Sequence, residues 1–218
     1  MLAGVLIAGF VISLPFWISS SPEQKQQMAQ TATAKIIIEK STGSLDIKQE
    51  EKEELREMLK PVNTEKPKNF EHEIWVKDIQ QLIGKWVPND SEAEAIARWV
   101  HLYSVRFDLS PELVLGIIAV ESQFDHFALS NVGARGLMQV MPFWKQELGS
   151  DKDNLFEIET NLRYGCAIIR HYLNRYKKLD RALAAYNGSL GSNRYPNKVF
   201  TQMRRFKATR EDTAMTKG

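Results

Sequence analysis

The chain has 218 residues, with 29 basic and 27 acidic side chains and a formal net charge of +2. That length accommodates one ordinary domain with appendages, and 43% hydrophobic residues exclude a disordered chain. The near-balance of charge excludes a strong overall pull toward nucleic acid or a lipid surface, and the single cysteine, Cys166, excludes an intramolecular disulfide or a thiolate zinc cluster.

In chain order, residues 1–18 carry no charged side chain. The run is at the short limit for a membrane-spanning helix and long for the core of a signal peptide. Trp17 suits a membrane interface. No Lys or Arg precedes the run and Lys25 follows it, so either the terminal amine suffices for orientation or the true start lies upstream of Met1. We expect residues 1–20 to be a membrane anchor, with a cleaved signal peptide as the alternative. Residues 21–69 are expected to be a polar, partly helical linker. Within it, "KQEEKEELREMLK" predicts a solvated helix with a thin apolar edge at Leu55 and Leu59, and "KPVNTEKPKN" reads as a connector.

Residues 70–87 predict an amphipathic helix packing on the core, with Ile74, Trp75, Ile79, Leu82, Ile83 and Trp86 on its stripe. Pro88-Asn89-Asp90 breaks it, and Asp90 is the expected cap of a helix over 91–106 that buries Ile96, Trp99, Val100 and Tyr103. "DLSPEL" predicts the next start, with Ser110 as N-cap, Pro111 at the first helical position and Glu112 at the positive dipole end. Glycines and Pro142 interrupt the segment after Phe127. A short helix then begins near 142 and ends at Gly149. A longer amphipathic one carries Leu162, Cys166, Ile169 and Leu173, with Cys166 as a small core residue. A short helix ends at Asn187-Gly188 and a last one follows. No alternating strand pattern is evident. The class is all-α, with the core domain at 88–208 and a flexible tail at 209–218.

The helix after Ser110 ends in "GIIAVESQFD". Val114, Ile117 and Ile118 lie seven, four and three residues before Glu121, so the carboxylate shares their apolar face. It also lies at the negative end of the helix dipole. Both effects disfavour its charged form, and an acid protonated near neutral pH is what a general acid requires. The competing reading is a last-turn glutamate that bends out to water.

Further along come "SNVGARG", "GLMQVMP" at 136–142, "NLRYG" at 161–165 and "AYNGS" at 185–189. Together with Glu121-Ser122, their order and spacing resemble the catalytic core of the soluble lytic transglycosylase (SLT) type, glycoside hydrolase family 23. That family is related in fold to goose-type lysozyme, and the likeness covers residues 90–205. The resemblance implies a lysozyme-like helical domain following an N-terminal hydrophobic segment. It makes Glu121 the single catalytic acid/base and Ser130 a hydroxyl near the reacting sugar. Gln139 and Met141 would line the glycan groove, as would Tyr186 and Asn187, with Tyr186 beside the carboxylate. Ser122 and Gly136 are supporting residues. The chain departs from the family after "AYN", where Gly188-Ser189 replaces Ala-Gly.

The implied reaction is cleavage of the MurNAc–GlcNAc β-1,4 bond with formation of a 1,6-anhydroMurNAc end. The implied enzyme is monomeric, acts on peptidoglycan strands outside the inner membrane, is held there through residues 1–18, and needs no cofactor or metal. A lysozyme-like hydrolase using Asp125 and an inactive wall-binding scaffold are the alternatives; Asp125 itself reads as a solvated or capping acid. His72, His101, His126 and His171 show no metal-ligand spacing. His126 reads as a surface histidine, and the basic "RRFKATR" tail as a solvated helix end rather than a nucleic-acid site.

Overall fold

The helix signals of the sequence become eight helices among the residues described by the computed structural model, which are 47–62 and 70–217, with side chains described for 47–62 and 72–210. In chain order they are α1 (Gln49–Met58), α2 (Phe70–Ile83), α3 (Asp90–Arg106), α4 (Pro111–Glu121), α5 (Pro142–Leu148), α6 (Ile158–Tyr176), α7 (Leu179–Tyr186) and α8 (Arg194–Lys217). Among the described residues the only extended pairing is two isolated bridges, Leu129 with Arg135 and Arg135 with Val140. The all-α expectation therefore holds. The expected anchor at 1–20 lies outside the described residues, whereas the expected flexible tail at 209–218 continues as α8 helix through Lys217, with Arg210 paired to Glu112 at 2.7 Å. Among those described, no helix is long and apolar enough to cross a membrane.

α4 is the centre. Leu113 through Ile118 are all buried, so this helix is apolar on every side and must be wrapped by others. α8 lies along it most extensively, and α3 also packs against it. α6 contributes Leu162, Cys166, Ala167 and Ile169 to the same core, and burial pushes the Cys166 thiol up. Each large aliphatic side chain removed from water here contributes roughly 1.5–3 kcal/mol.

Start signals behaved as local chemistry dictates, with one correction. Ser110 Oγ accepts from Leu113 N at 3.1 Å, and Pro111 opens α4. At α3 the cap is Asn89, whose side chain accepts from Glu92 N at 3.0 Å; the expected cap, Asp90, is the first helical residue. The expected stripe of α2 also shifts. Its buried positions are His72, Val76, Ile79 and Ile83, at spacings of four, three and four. Ile74 is 45% exposed because it lies about 200° around the helix from Val76.

Two helices preceding residue 88 are tied down by charge as well as apolar contact. α1 buries Leu55, and the residue capping it, Leu59, is buried as well. Lys52 pairs with Glu147 at 2.7 Å, and Arg56 donates to the Glu147 carbonyl at 3.0 Å. The buried Arg163 donates to Leu59 O, to Glu159 at 2.9 Å and to Asp153 at 3.1 Å. α2 is clamped to α3 by Arg98, which grips both carboxylate oxygens of Glu73 at 2.8 and 2.7 Å. Beside that clamp, His72 and His101 share a hydrogen bond between their Nδ1 atoms at 2.9 Å.

Candidate active site

α4 ends at Glu121, half-buried at the edge of the core. The helix stops there because the backbone turns over. Ser122 still donates its N–H to Ile118 O at 3.0 Å, but Gln123 and Phe124 adopt φ of 52° and 70°. Two consecutive side-chain-bearing residues in the left-handed region cost roughly 1–2 kcal/mol each. Such strain persists only where the surroundings hold it.

The segment after the turn folds back as a small hairpin. Ser130 N donates to Ala134 O at 3.0 Å, Gly136 N to Ala128 O at 2.8 Å, and Arg135 and Val140 exchange both N–H···O bonds at 3.0 Å. The Ser122 hydroxyl lies 2.8 Å from Leu137 O, so the end of α4 is stitched to this loop. The expected supporting role of Ser122 thus has a concrete contact.

One buried side chain holds the loop from below. Asn161 accepts from Met138 N at 2.7 Å and donates to Arg135 O at 2.8 Å and Leu155 O at 2.7 Å. The loop sits so close to α6 that glycine is required on both sides. A Cβ on Gly136, whose φ is +71°, would stand 2.5 Å from Asn161 Nδ2, and one on Gly165 would stand 2.3 Å from Met138 Sδ. Gly136 and "NLRYG" are therefore two halves of one contact, Asn161 and Gly165 being one helical turn apart.

The remaining expected residues sit as follows. Ser130 Oγ accepts from Ala134 N at 2.9 Å, inside the hairpin. Gln139, at φ 50°, donates its amide Nε2 to Ala128 O and Gly136 O, each at 3.1 Å, so that nitrogen braces the loop. Met141 caps α5 and is partly buried. Tyr186 donates to Met138 O at 2.7 Å. Asn187 caps α7, and Gly188 follows at φ +68°. Asp125 is exposed and accepts from Phe127 N at 2.8 Å, which caps the turn. His126 is not a free surface histidine: it is half-buried, with Nδ1 2.7 Å from Glu92 Oε1.

The direct neighbour of the carboxylate is a residue that the sequence reading did not single out. Tyr195, buried in the first turn of α8, donates its hydroxyl to Glu121 Oε1 at 2.7 Å. Burial first, then the Glu121 charge, push the Tyr195 and Tyr186 hydroxyls well above the usual phenol range. Both therefore stay protonated donors at any working pH. Tyr195 is 74 residues from Glu121 in the chain. The only local signal is its place beside Pro196 at a helix start.

Residues 100–206 match the family model described as the transglycosylase SLT domain. This part of the chain is an SLT domain. Its helices have the all-α, lysozyme-like architecture that the motifs implied. The chain is 37% identical over 105 residues to a "Transglycosylase" of Enterobacteria phage PRD1, covering 44% of this chain and 38% of that protein. It is 31% identical over 143 residues to a "Membrane-bound lytic murein transglycosylase C" of Pectobacterium atrosepticum, covering 56% and 38%. A protein of the same name from Photorhabdus laumondii is 29% identical over 140 residues, again covering 56% and 38%. The chain thus spans well under half the length of the curated relatives it matches. The SLT match begins inside α3, so α1 and α2 precede it.

Proposed function

We propose that the chain is a peptidoglycan lytic transglycosylase. The observation that carries this reading is a carboxyl group, Glu121, placed at the end of an apolar helix of an SLT domain and held by the Tyr195 hydroxyl at 2.7 Å. The names of the relatives support the reaction class, and the murein named in two of them supports the substrate.

In this reading the protonated Glu121 gives its proton to the glycosidic oxygen between MurNAc and GlcNAc. The C1–O bond breaks, and GlcNAc leaves with a free 4-hydroxyl. The substrate's 2-acetamido oxygen stabilises the positive charge at C1. The Glu121 carboxylate then removes the proton of the muramyl C6 hydroxyl, O6 bonds to C1, and the acid is regenerated. No water is consumed, and one carboxyl group serves as acid and then as base. That economy suits a site whose nearby second acid, Asp125, is occupied in capping a turn. Most glycosidases need two flanking carboxylates.

Ser130, Gln139, Met141, Tyr186 and Asn187 are proposed to line the glycan groove, with Ser122 and Gly136 supporting it. We assign the catalytic unit to residues 88–208, preceded by the packing helix at 70–87 and a linker at 21–69. Residues 1–20 are assigned as an inner-membrane anchor that leaves the catalytic unit on the peptidoglycan side. Relatives named as membrane-bound support that placement, and N-terminal sequencing of the exported protein separates an anchor from a cleaved signal.

The test is digestion of purified sacculi followed by mass analysis of the products. Wild type should release muropeptides with 1,6-anhydro ends, each one water lighter than a hydrolytic product. Glu121→Gln should release none while keeping its helical circular-dichroism spectrum. Products carrying the added water would make the chain a lysozyme-like hydrolase, and full activity of the Gln variant would remove Glu121 from the mechanism.

A further inference from the structure

The left-handed turn behind Glu121 is stabilised by an aromatic cluster with one member outside the family domain. Phe124, three residues past Glu121, is fully buried at φ 70°. Its ring lies 5.2 Å from Trp86, at 33°, and 6.1 Å from Phe206, edge-on at 74°. Trp86 and Phe206 are themselves 6.0 Å apart, so the three rings close a triangle. These are the separations and tilts at which aromatic pairs attract. The outer side of Trp86 is covered by Lys85, whose Nζ stands 3.9 Å from the ring.

Phe206 belongs to α8, which also supplies Tyr195 to the carboxylate. Trp86 has a different origin. It lies 14 residues before the matched family segment begins, in the turn that closes α2, where its N–H donates to Ile83 O at 2.9 Å. Its place is inherited from α2, which the Arg98–Glu73 clamp and the buried Ile79 and Ile83 lock to the domain. A segment outside the family domain thereby presses on the backbone that sets where Glu121 ends.

We propose that Trp86 is a positioning residue for the reaction, a buttress by which α2 holds the Gln123–Phe124 turn in its left-handed conformation and so fixes the direction of the Glu121 side chain. Trp86 touches no reacting group and acts through Phe124. Without the indole, Phe124 loses one wall of its site and the turn can relax toward ordinary backbone angles. The carboxyl group then samples orientations that do not meet the glycosidic oxygen. A misplacement of about 1 Å is enough to lower turnover by up to roughly a hundredfold.

Trp86→Ala and Trp86→Phe are compared in the full chain by two independent measurements. The first is kcat and KM on sacculi, taken well below the melting temperature and corrected for folded fraction; it rests on the transglycosylase reading. The second is amide hydrogen exchange at Gln123 and Asp125, whose N–H groups bond to Ile118 O and Ser122 O at 3.1 Å each; it needs no activity. Trp86→Ala should lower kcat by about tenfold to a hundredfold with KM nearly unchanged. It should accelerate exchange at those two amides while α6 amides keep their rates, and Trp86→Phe should restore most of both. If the alanine variant does not fold, Trp86→Leu keeps apolar bulk without a ring and takes its place. Unchanged exchange and kcat per folded molecule, with only a lower melting temperature, would overturn the proposal. Wild type without any cleavage would instead overturn the transglycosylase reading, and exchange alone would then decide the buttress.

Discussion

Removing the Tyr195 hydroxyl tests the site at its most specific contact. Tyr195→Phe deletes one oxygen from a buried ring and leaves its packing against the core in place. The lost bond is 2.7 Å long and runs from a phenol that burial and the neighbouring charge keep protonated. Hydrogen bonds to a charged partner contribute about 1.5–3 kcal/mol. In the proposed cycle the carboxylate exists only after the first proton has left, so the bond is strongest on the way to ring closure. Interactions of that kind enter kcat rather than KM. At about 1.4 kcal/mol per factor of ten, kcat should fall by about tenfold to a hundredfold with KM nearly unchanged. The assay is the initial rate of soluble muropeptide release from sacculi, with circular dichroism as the check on folding. A kcat within twofold of wild type would show that the hydroxyl neither orients nor stabilises the carboxyl group, and the geometric argument for the site would fail.

Two further outcomes concern stability. Asn161→Ala removes three hydrogen bonds of a buried side chain at once, about 3 kcal/mol in all; thermal melting should drop by roughly 6–12 °C, and a change under about 2 °C would contradict the assigned role in bracing the loop. Acid should destabilise the fold in two stages. Burial holds His72, His101 and His171 below the ordinary imidazole range. The unfolded chain therefore binds those protons first as pH falls below about 6.5, and stability declines from there. For Asp153, burial alone would raise the carboxyl, but hydrogen bonds from Tyr164, the Ser150 amide and Arg163 outweigh it and the net direction is down. Its contribution is present above about 4 and is lost as pH falls through its lower folded value. Melting temperatures measured from about pH 7.5 to 3.5 should begin to decrease near about 6.5 and continue down, and a flat profile between about 6.5 and 5 would rule out the histidine contribution.

Much of this architecture is local chemistry and was legible in the chain. Ser110, Pro111 and the apolar run to Ile118 specify α4 because a cap, a preset φ and a buried face act within a few residues of one another. Pro142 and Gly149 bound α5 for similar reasons. The place of Glu121 at the end of that helix, and the ordered motifs beyond it, pointed to the reaction class. The face of α2 is not legible in the same way, because Ile74 is apolar but about 200° around the helix from the buried Val76, and hydropathy alone does not say which face meets the core. The cap of α3 was misplaced by one residue because Asn89 and Asp90 are both good caps, and only backbone geometry separates them.

Tertiary structure alone decided the partners. Gln139 and Tyr186 stand out by their motifs, yet the Gln139 amide nitrogen and the Tyr186 hydroxyl donate to backbone carbonyls of the loop, while the carboxylate bonds to Tyr195. Pro196 beside Tyr195 marks a helix start but does not announce that role, since the contact exists only because α8 lies along α4. Likewise Gly136 and Gly165 look like separate breaks in separate motifs until the loop is seen resting on α6 at a distance that admits no Cβ. Helix starts and buried stripes follow from neighbours in sequence. Which hydroxyl meets which carboxylate depends on how whole helices pack, and that is settled by the summed burial of side chains distributed along the entire domain.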